Sequence, residues 1–278
     1  MIPQFTIDDV IKRAIQEDIN YVDVTTDYLL SDDAVTTANY VAKDSGVVAG
    51  VGIAVRVYEL LDSTVECEIL KQDGDAVQKG DIILTLKGKT KTLLKGERTS
   101  LNLIQHLSGI ATMTNKCVGL VEGTNATITD TRKTLPGLRA LQKYAVTVGG
   151  GRNHRYNLSD GAMLKDNHID AYGSMTNAVN ALRAKIGHMV KIEVETRNLD
   201  ELREALSAGA DVIMLDNMSL EEMREAVKIT AGRAKLEASG NITDENIRAV
   251  AETGVDIISL GALTHSVKAF DISMKIAL

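Results

Sequence analysis

Residues 191–239 read KIEVETRNLDELREALSAGADVIMLDNMSLEEMREAVKITAGRAKLEAS. Three short apolar runs, at 191–195, 212–216 and 235–239, are separated by two stretches of helical period, NLDELREALSAG and SLEEMREAVKIT. Strands that alternate with helices pair in parallel, because the helix carries the chain back before the next strand starts. The glycine in SAGADVI, and again in ETGVDII, sits where a helix ends and a strand begins. Working outward, 126–130, 162–165 and 256–260 read as further strands, with SMTNAVNALRAKIG and TDENIRAVAETG as helices between. Residues 110–270 thus hold six candidate strands in about 160 residues, against about 250 for a full eight-fold barrel. The choice is an incomplete parallel β/α barrel of six or seven strands, or an open doubly wound sheet. No GxxxxGK[ST] and no GxGxxG lies between a strand and a helix. That favours the shortened barrel.

Upstream the texture changes. Residues 34–95 carry β-rich runs (TTANYVAK, STVECEILK, DIILTLKG, TKTLLKG) split by the turn signals QDGD and QKGD. They predict a small α/β, sandwich-like domain. Residues 71–86 lack the hairpin-tip lysine of a biotin or lipoyl carrier. A helix is expected over 6–18, with Thr6 as N-cap, and a second from about 96 to 121. In the latter, Leu101, Ile104, Leu107 and Ala111 form an apolar stripe, while Arg98, Asn102, Gln105 and Gly109 take another face. The expected division is an N-terminal domain over 1–108, joined by 268–278, and a barrel over 109–267.

The chain has 278 residues and a formal net charge of −7, with 44% hydrophobic residues, enough apolar surface to exclude disorder. Its longest apolar run, 46–55, is about half a membrane span. The opening IDDVIKRAIQEDI has no secretory h-region. Two cysteines, Cys67 and Cys117, are too few for a disulfide framework or a four-thiolate metal site, so a cytoplasmic home is expected. Aromatics at 3%, no Trp and a net acidic balance argue against nucleic acid.

The charge is unevenly spread. Residues 130–168 hold seven Lys/Arg (Arg132, Lys133, Arg139, Lys143, Arg152, Arg155, Lys165) and three acids (Asp130, Asp160, Asp166). The window is 7 − 3 = +4, so the remainder is −7 − 4 = −11. A cationic island in an anionic chain fits a small polyanion; a solvated surface is the plainer reading of such a stretch. The strand ends decide between them. They read Asp130-Thr131-Arg132-Lys133, Lys165-Asp166-Asn167-His168, Glu195, Asp216-Asn217, Ser239-Gly240-Asn241 and Gly261. One polar strand end is usually a helix cap, as Asn217 and Ser219 suggest, but six converge on the rim where barrels carry their chemistry. The first two strands bring cations, with His154 and Arg155 from the loop between. The next two bring carboxylates, Glu195 and Asp216. The last two bring the turns SGNIT and GALTHS, whose backbone N–H groups suit phosphate. The residues ask for a phosphorylated substrate with a metal-bound anionic leaving group, beside a second substrate that carries carboxylates.

The segments GERTSLNLIQHLSGIAT, TRKTLPGLRALQKYAVTVGGGRNHR and LSDGAMLKDNHI resemble the quinolinate phosphoribosyltransferase family, with EDINYVDVTT, IEVE, IMLDN, LEASGNI and SLGALTHS continuing the match. Asn20, Val22 and Gln142 depart from the residues common there. The resemblance implies a two-domain enzyme that turns quinolinate and phosphoribosyl pyrophosphate into nicotinate mononucleotide, CO2 and pyrophosphate with Mg2+. It implies that Arg132, Arg155 and Lys165, with His154 beside them, hold the quinolinate carboxylates. Lys133 falls on the pyrophosphate side, and Thr131 counts among the substrate-binding residues. Glu195 and Asp216 fit the ribose hydroxyls and the metal, directly or through pyrophosphate or water. Ser239, Gly240, Asn241 and Gly261 fit the 5-phosphate, with His265 nearby. The implied catalytic set is Lys133, Lys165, Glu195 and Asp216. Arg98 is implied to enter the neighbouring subunit's site, giving a homodimer with shared active sites, a hexamer of dimers being left open. His168 reads equally as a loop cap, Arg139 as solvated or as support for the anion site, and Met163, Met214 and Met218 as core. The alternatives are a pyrophosphorylase-like protein of molybdate-transport clusters, which the KDNH lysine disfavours, nicotinate phosphoribosyltransferase, a Schiff-base aldolase using Lys165, and a non-catalytic sensor of phosphorylated ligands.

Overall fold

The structure, a computed structural model, describes residues 2–277 and divides by contact into two compact units. The first takes the chain up to Asn115, residues 134–150 and the segment from Ala262 on; the second takes Lys116–Lys133 and Gly151–Gly261. The expected boundary near 108 lies inside a continuous helix.

In the first unit the order is α1 (Gln4–Asp18), α2 (Thr26–Leu29), β1 (Val35–Ala42), β2 (Gly46–Val47), α3 (Val51–Leu61), β3 (Glu66–Ile69), β4 (Ala76–Val77), β5 (Ile82–Lys89) and α4 (Thr90–Leu120). An antiparallel sheet runs in the order Ile272–Ala277, β1, β5, β3. Alternation along β1 buries Ala38, Tyr40 and Ala42. They share one core with Val51, Ala54 and Tyr58 of α3 and with Leu93, Leu101 and Ile104 of α4. The apolar run 46–55 is therefore a buried strand end and helix start.

Thr6 does not cap α1; its N–H bonds the Pro3 carbonyl at 3.0 Å, inside the first turn. TKTLLKG is not a strand but the first turns of α4. Gly96 suggested a boundary, yet it is glycine for packing: a Cβ there would lie 2.6 Å from the Tyr58 ring.

Gly109 of α4 is set by a similar approach. A Cβ there would run into the Lys268 carbonyl oxygen. That segment cannot easily give, because Phe270 N–H bonds the Gln105 carbonyl at 2.9 Å and Gln105 Nε2 bonds the Ile272 carbonyl at 2.6 Å. Gly109→Ala should lose about 1–2 kcal/mol, overpacking exceeding the propensity gain of about 1 kcal/mol. Gly119→Ala, with open space around it on the same helix, should gain up to about 1 kcal/mol. Denaturant melts of the two variants should move in opposite directions.

The helix α5 (Arg139–Val148) groups with the first unit. The second unit runs β6 (Thr127–Thr129), β7 (Ala162–Leu164), α6 (Asp166–Tyr172), α7 (Met175–Arg183), β8 (Ile192–Thr196), α8 (Leu199–Ser207), β9 (Val212–Asp216), α9 (Leu220–Thr230), β10 (Lys235–Ser239), α10 (Ile247–Ala251) and β11 (Ile257–Ser259). Its six strands are all parallel, in the order β6-β11-β10-β9-β8-β7. A seventh is reduced to one bridge, Arg152 to Thr129. No ladder joins that segment to β7 among the described residues, so the barrel is incomplete, as expected. Ile192, Val194, Ile213, Leu215, Leu236 and Ala238 alternate toward the helices and are buried there. The residues between them face the barrel interior. Helix entries follow the sequence signals: Asn198 caps α8, and Ser219 caps α9 in a box with Glu222. Gly209 and Gly254, with φ of 78° and 95°, close α8 and α10. Among the described residues, no helix is long and apolar enough to cross a membrane.

Candidate active site

Period-2 alternation aims Lys165, Glu195, Asp216 and Ser239, each at a strand's C-terminal end, toward one interior. With Thr131, Arg132, Lys133, His154 and Arg155 they line a single cavity of about 500 Å3. Nine of the predicted residues therefore meet. Gly240, Asn241 and Gly261 do not line it, though they belong to the same unit. Arg98 and His265 belong to the first unit, where Arg98 lies 3.7 Å from Glu97 and His265 Nδ1 lies 2.6 Å from Ser266 Oγ.

The two halves of the rim differ in build. On the cationic half, Lys165 reaches Glu195 at 3.4 Å, a pair open to solvent on the lysine side. Arg155 is more enclosed. Its Nη1 donates to the Gly161 carbonyl at 2.8 Å and its Nη2 to Met163 Sδ at 3.6 Å. Burial lowers its pKa, the Arg132 charge lowers it further, and Glu193 opposes both. A dianion in the cavity would relieve that stress. On the other half, Asp216 accepts from Asn217 Nδ2, and Asn217 Oδ1 accepts from Asn241 Nδ2, both at 2.9 Å. Asn217, Gly240 and Asn241 all hold positive φ, at 55°, 91° and 50°. Asn217 thus shapes the turn rather than capping α9. A Cβ at Gly240 would strike its side-chain amide, which explains the glycine.

Glu193 and Glu237 were not anticipated. Both are buried, and Glu237 lines the cavity. His154 Nε2 lies 3.1 Å from Glu193 Oε2 and 3.5 Å from Glu237 Oε2. Burial and the Glu193 carboxylate push the Glu237 carboxyl up to about 7, with His154 opposing. The available signal was spacing: Glu193 is two residues before Glu195, and Glu237 two before Ser239, on the same strand faces. Met163 and Met214, expected in the core, also line the cavity, while Met218 is buried. His168 is a cap: its Nδ1 accepts the Lys165 backbone N–H at 3.1 Å at the start of α6. Arg139 donates to Thr134 Oγ1 at 2.9 Å within the first unit.

Residues 110–275 match the family model described as quinolinate phosphoribosyl transferase, C-terminal domain, and residues 23–108 match its N-terminal counterpart. A Bacillus subtilis (strain 168) protein named probable nicotinate-nucleotide pyrophosphorylase (carboxylating) is 50% identical over 262 residues, covering 94% of this chain and 90% of its own. The nicotinate-nucleotide pyrophosphorylase (carboxylating) of Mycobacterium leprae (strain TN) is 44% identical, covering 96% of each. The crystal structure of NadC from Streptococcus pyogenes superposes with a TM-score of 0.96 at 43% identity, over 100% of this chain and 98% of that one.

Proposed function

The chain belongs to the quinolinate phosphoribosyltransferase family, and we infer from its rim that it condenses quinolinate with phosphoribosyl pyrophosphate. The products are nicotinate mononucleotide, CO2 and pyrophosphate, a step of NAD biosynthesis. One observation carries the reading: Arg132, Lys133, Arg155 and Lys165 share one cavity with Glu195 and Asp216. That set matches a dicarboxylate beside a polyhydroxylated phosphate ester. Incubation with quinolinate, phosphoribosyl pyrophosphate and Mg2+ should release CO2 and yield the mononucleotide. No release from the folded protein would overturn it.

Arg132, Arg155 and Lys165 bind the two carboxylates by charge-assisted hydrogen bonds and turn the ring nitrogen toward ribose C1. Lys133 and Thr131 face the departing pyrophosphate. As the C1–oxygen bond breaks, positive charge grows on the ribose, and Glu195 and Asp216 stand where that charge and the ribose hydroxyls are met. The nitrogen's electron pair forms the new C1–N bond and leaves the ring cationic. The C2–carboxylate bond then breaks, its electron pair staying at C2 beside the cationic nitrogen until a proton is taken up there. The 5-phosphate falls to the Ser239–Asn241 turn, a reading supported by Ser239 at the cavity wall and by the positive-φ backbone of Gly240 and Asn241.

Glu195 and Asp216 also suit Mg2+. They sit on adjacent strands, Met214 of β9 pairing with Glu195, and offer only oxygen donors, as a hard cation prefers. Bound there, Mg2+ would supply electrostatic stabilisation of the leaving pyrophosphate. Activity should vanish in excess chelator and return with Mg2+. Glu195→Ala and Asp216→Ala should raise the KM for phosphoribosyl pyrophosphate more than that for quinolinate. An equal rise for both would place these carboxylates at the other substrate.

Two further parts of the reading extend the family resemblance. The working form is a homodimer in which the partner subunit's Arg98 reaches a quinolinate carboxylate. The compartment is cytoplasmic, a reading supported by free thiols at Cys67 and Cys117.

A further inference from the structure

We propose that His154 is a neutral positioning residue, held as its Nε2–H tautomer above the buried Glu193 and Glu237, and that it fixes the backbone carrying Arg155. The proposal deepens the reading of this cavity as a quinolinate site and rests on it for its kinetic part.

The tautomer follows from donors and acceptors. The Arg155 backbone N–H can only donate, and it points at His154 Nδ1 at 2.8 Å. Nδ1 must therefore present a lone pair. A neutral imidazole has one such nitrogen, so Nε2 carries the hydrogen. That hydrogen faces two acceptors, Glu193 Oε2 at 3.1 Å and Glu237 Oε2 at 3.5 Å. An imidazolium would place a second hydrogen against the Arg155 N–H. The same logic bears on a divalent cation among His154, Glu193 and Glu237, whose ligand atoms lie within 4.8 Å of one another. Ligation by Nε2 needs a lone pair there, and the ring's only one is already engaged. The imidazole N–H faces the Oε2 atoms of both glutamates, while their Oε1 atoms are buried without a hydrogen-bond partner, so donors are scarce here and the ring hydrogen is well placed on Nε2.

The consequence reaches Arg155 through the chain. The His154 backbone N–H is tied to Asp130 Oδ1 at 2.9 Å, and the next N–H is tied to the ring. The guanidinium is held at its far end by the Gly161 carbonyl and Met163 Sδ. Arg155 is thus fixed at both ends before any ligand arrives, so little ordering remains to oppose binding. The charged groups beside His154 include Asp130 at its backbone, Glu193 from β8 and Glu237 from β10. The cationic clamp is then Arg132, Arg155 and Lys165, without a charge from His154.

The test reads the ring first and the kinetics second, on the full-length protein. 15N spectra of histidine-labelled protein, with His154 assigned by its loss in H154Q, should show unprotonated Nδ1 and protonated Nε2 without any substrate. An imidazolium signature near neutral pH, or a displacement of the Nε2 signal on adding Zn2+, would overturn the proposal. In turnover, H154Q can donate an amide N–H toward the glutamates and should keep the quinolinate KM within about threefold. H154K, which supplies a charge but no acceptor for the Arg155 N–H, should raise it roughly tenfold or more, with a smaller change in kcat. The reverse ranking would make His154 a carboxylate-binding cation. If the wild type fails to turn over quinolinate, the functional reading fails, while the substrate-free spectra still decide the tautomer.

Discussion

Quinolinate should exceed nicotinate in kcat/KM by about a thousandfold. The two acids differ by one carboxylate, and the proposed clamp of Arg132, Arg155 and Lys165 answers that difference. Arg155 already sits where burial and the Arg132 charge disfavour its own ionisation. Quinolinate answers that with two negative charges; nicotinate leaves one cation of the clamp without its counterion. Breaking a desolvated pair from one side costs about 3–5 kcal/mol, which is several powers of ten in rate. Lys165 is more exposed, and its pair with Glu195 is screened, so Arg155 should carry more of the discrimination. Initial rates with each acid at limiting concentration measure the ratio, and Arg155→Ala should shrink it more than Lys165→Ala. Comparable turnover of the two acids would remove the dicarboxylate clamp from the reading.

Arg98→Ala and Lys165→Ala should each be nearly inactive alone and regain activity when mixed. Each truncation removes a charge-assisted contact of about 1.5–3 kcal/mol, roughly a ten- to hundredfold loss. If each site takes Arg98 from the partner subunit and Lys165 from its own, a mixed dimer collects both defects in one site. The other site is then intact. Random exchange of equal amounts makes half the dimers mixed, with one good site in two, so recovery should approach about one site in four. Verified heterodimers without activity would return Arg98 to its own subunit's chemistry.

Most of the barrel was legible because its physics is local. The runs at 212–216 and 235–239 are strands to the residue, since an apolar alternation bounded by Gly at one end and a cap at the other leaves little freedom. The rim was legible for the same reason: a strand's last inward residue is fixed once the strand is. What stayed hidden was one layer down. Glu193 and Glu237 sit inside apolar-looking strands, and a carboxylate there reads as a strand's solvated face until the sheet curls and both faces are covered. Their pairing with His154 joins three segments far apart in sequence, so no spacing rule brings them together. The start of α4 was misread because TKTLLKG is too short to separate period 2 from period 3.6, and Gly96 resembled a boundary when its absent side chain only made room for Tyr58. Asn217 looked like a cap because asparagine favours both caps and left-handed turns; its φ of 55° shows the second use.

The edge strand Ile272–Ala277 pairs with β1, Ala38 facing Ile276 across 276 − 38 = 238 positions of chain. A ribosome makes β1, β3 and β5 early but cannot complete the sheet until residues 272–277 emerge. Meanwhile β7, β8, β9, β10 and β11, each joined to its sheet neighbour by one or two short helices, find their partners as they emerge, and only β6 waits for β11. Until residues 272–277 emerge, β1 shows an open row of backbone donors and acceptors, a template that another nascent chain can occupy. Nascent chains of this protein should therefore be most exposed to mispairing between the emergence of β1 and that of residues 272–277, and removing residues 272–277 would leave that edge open for good.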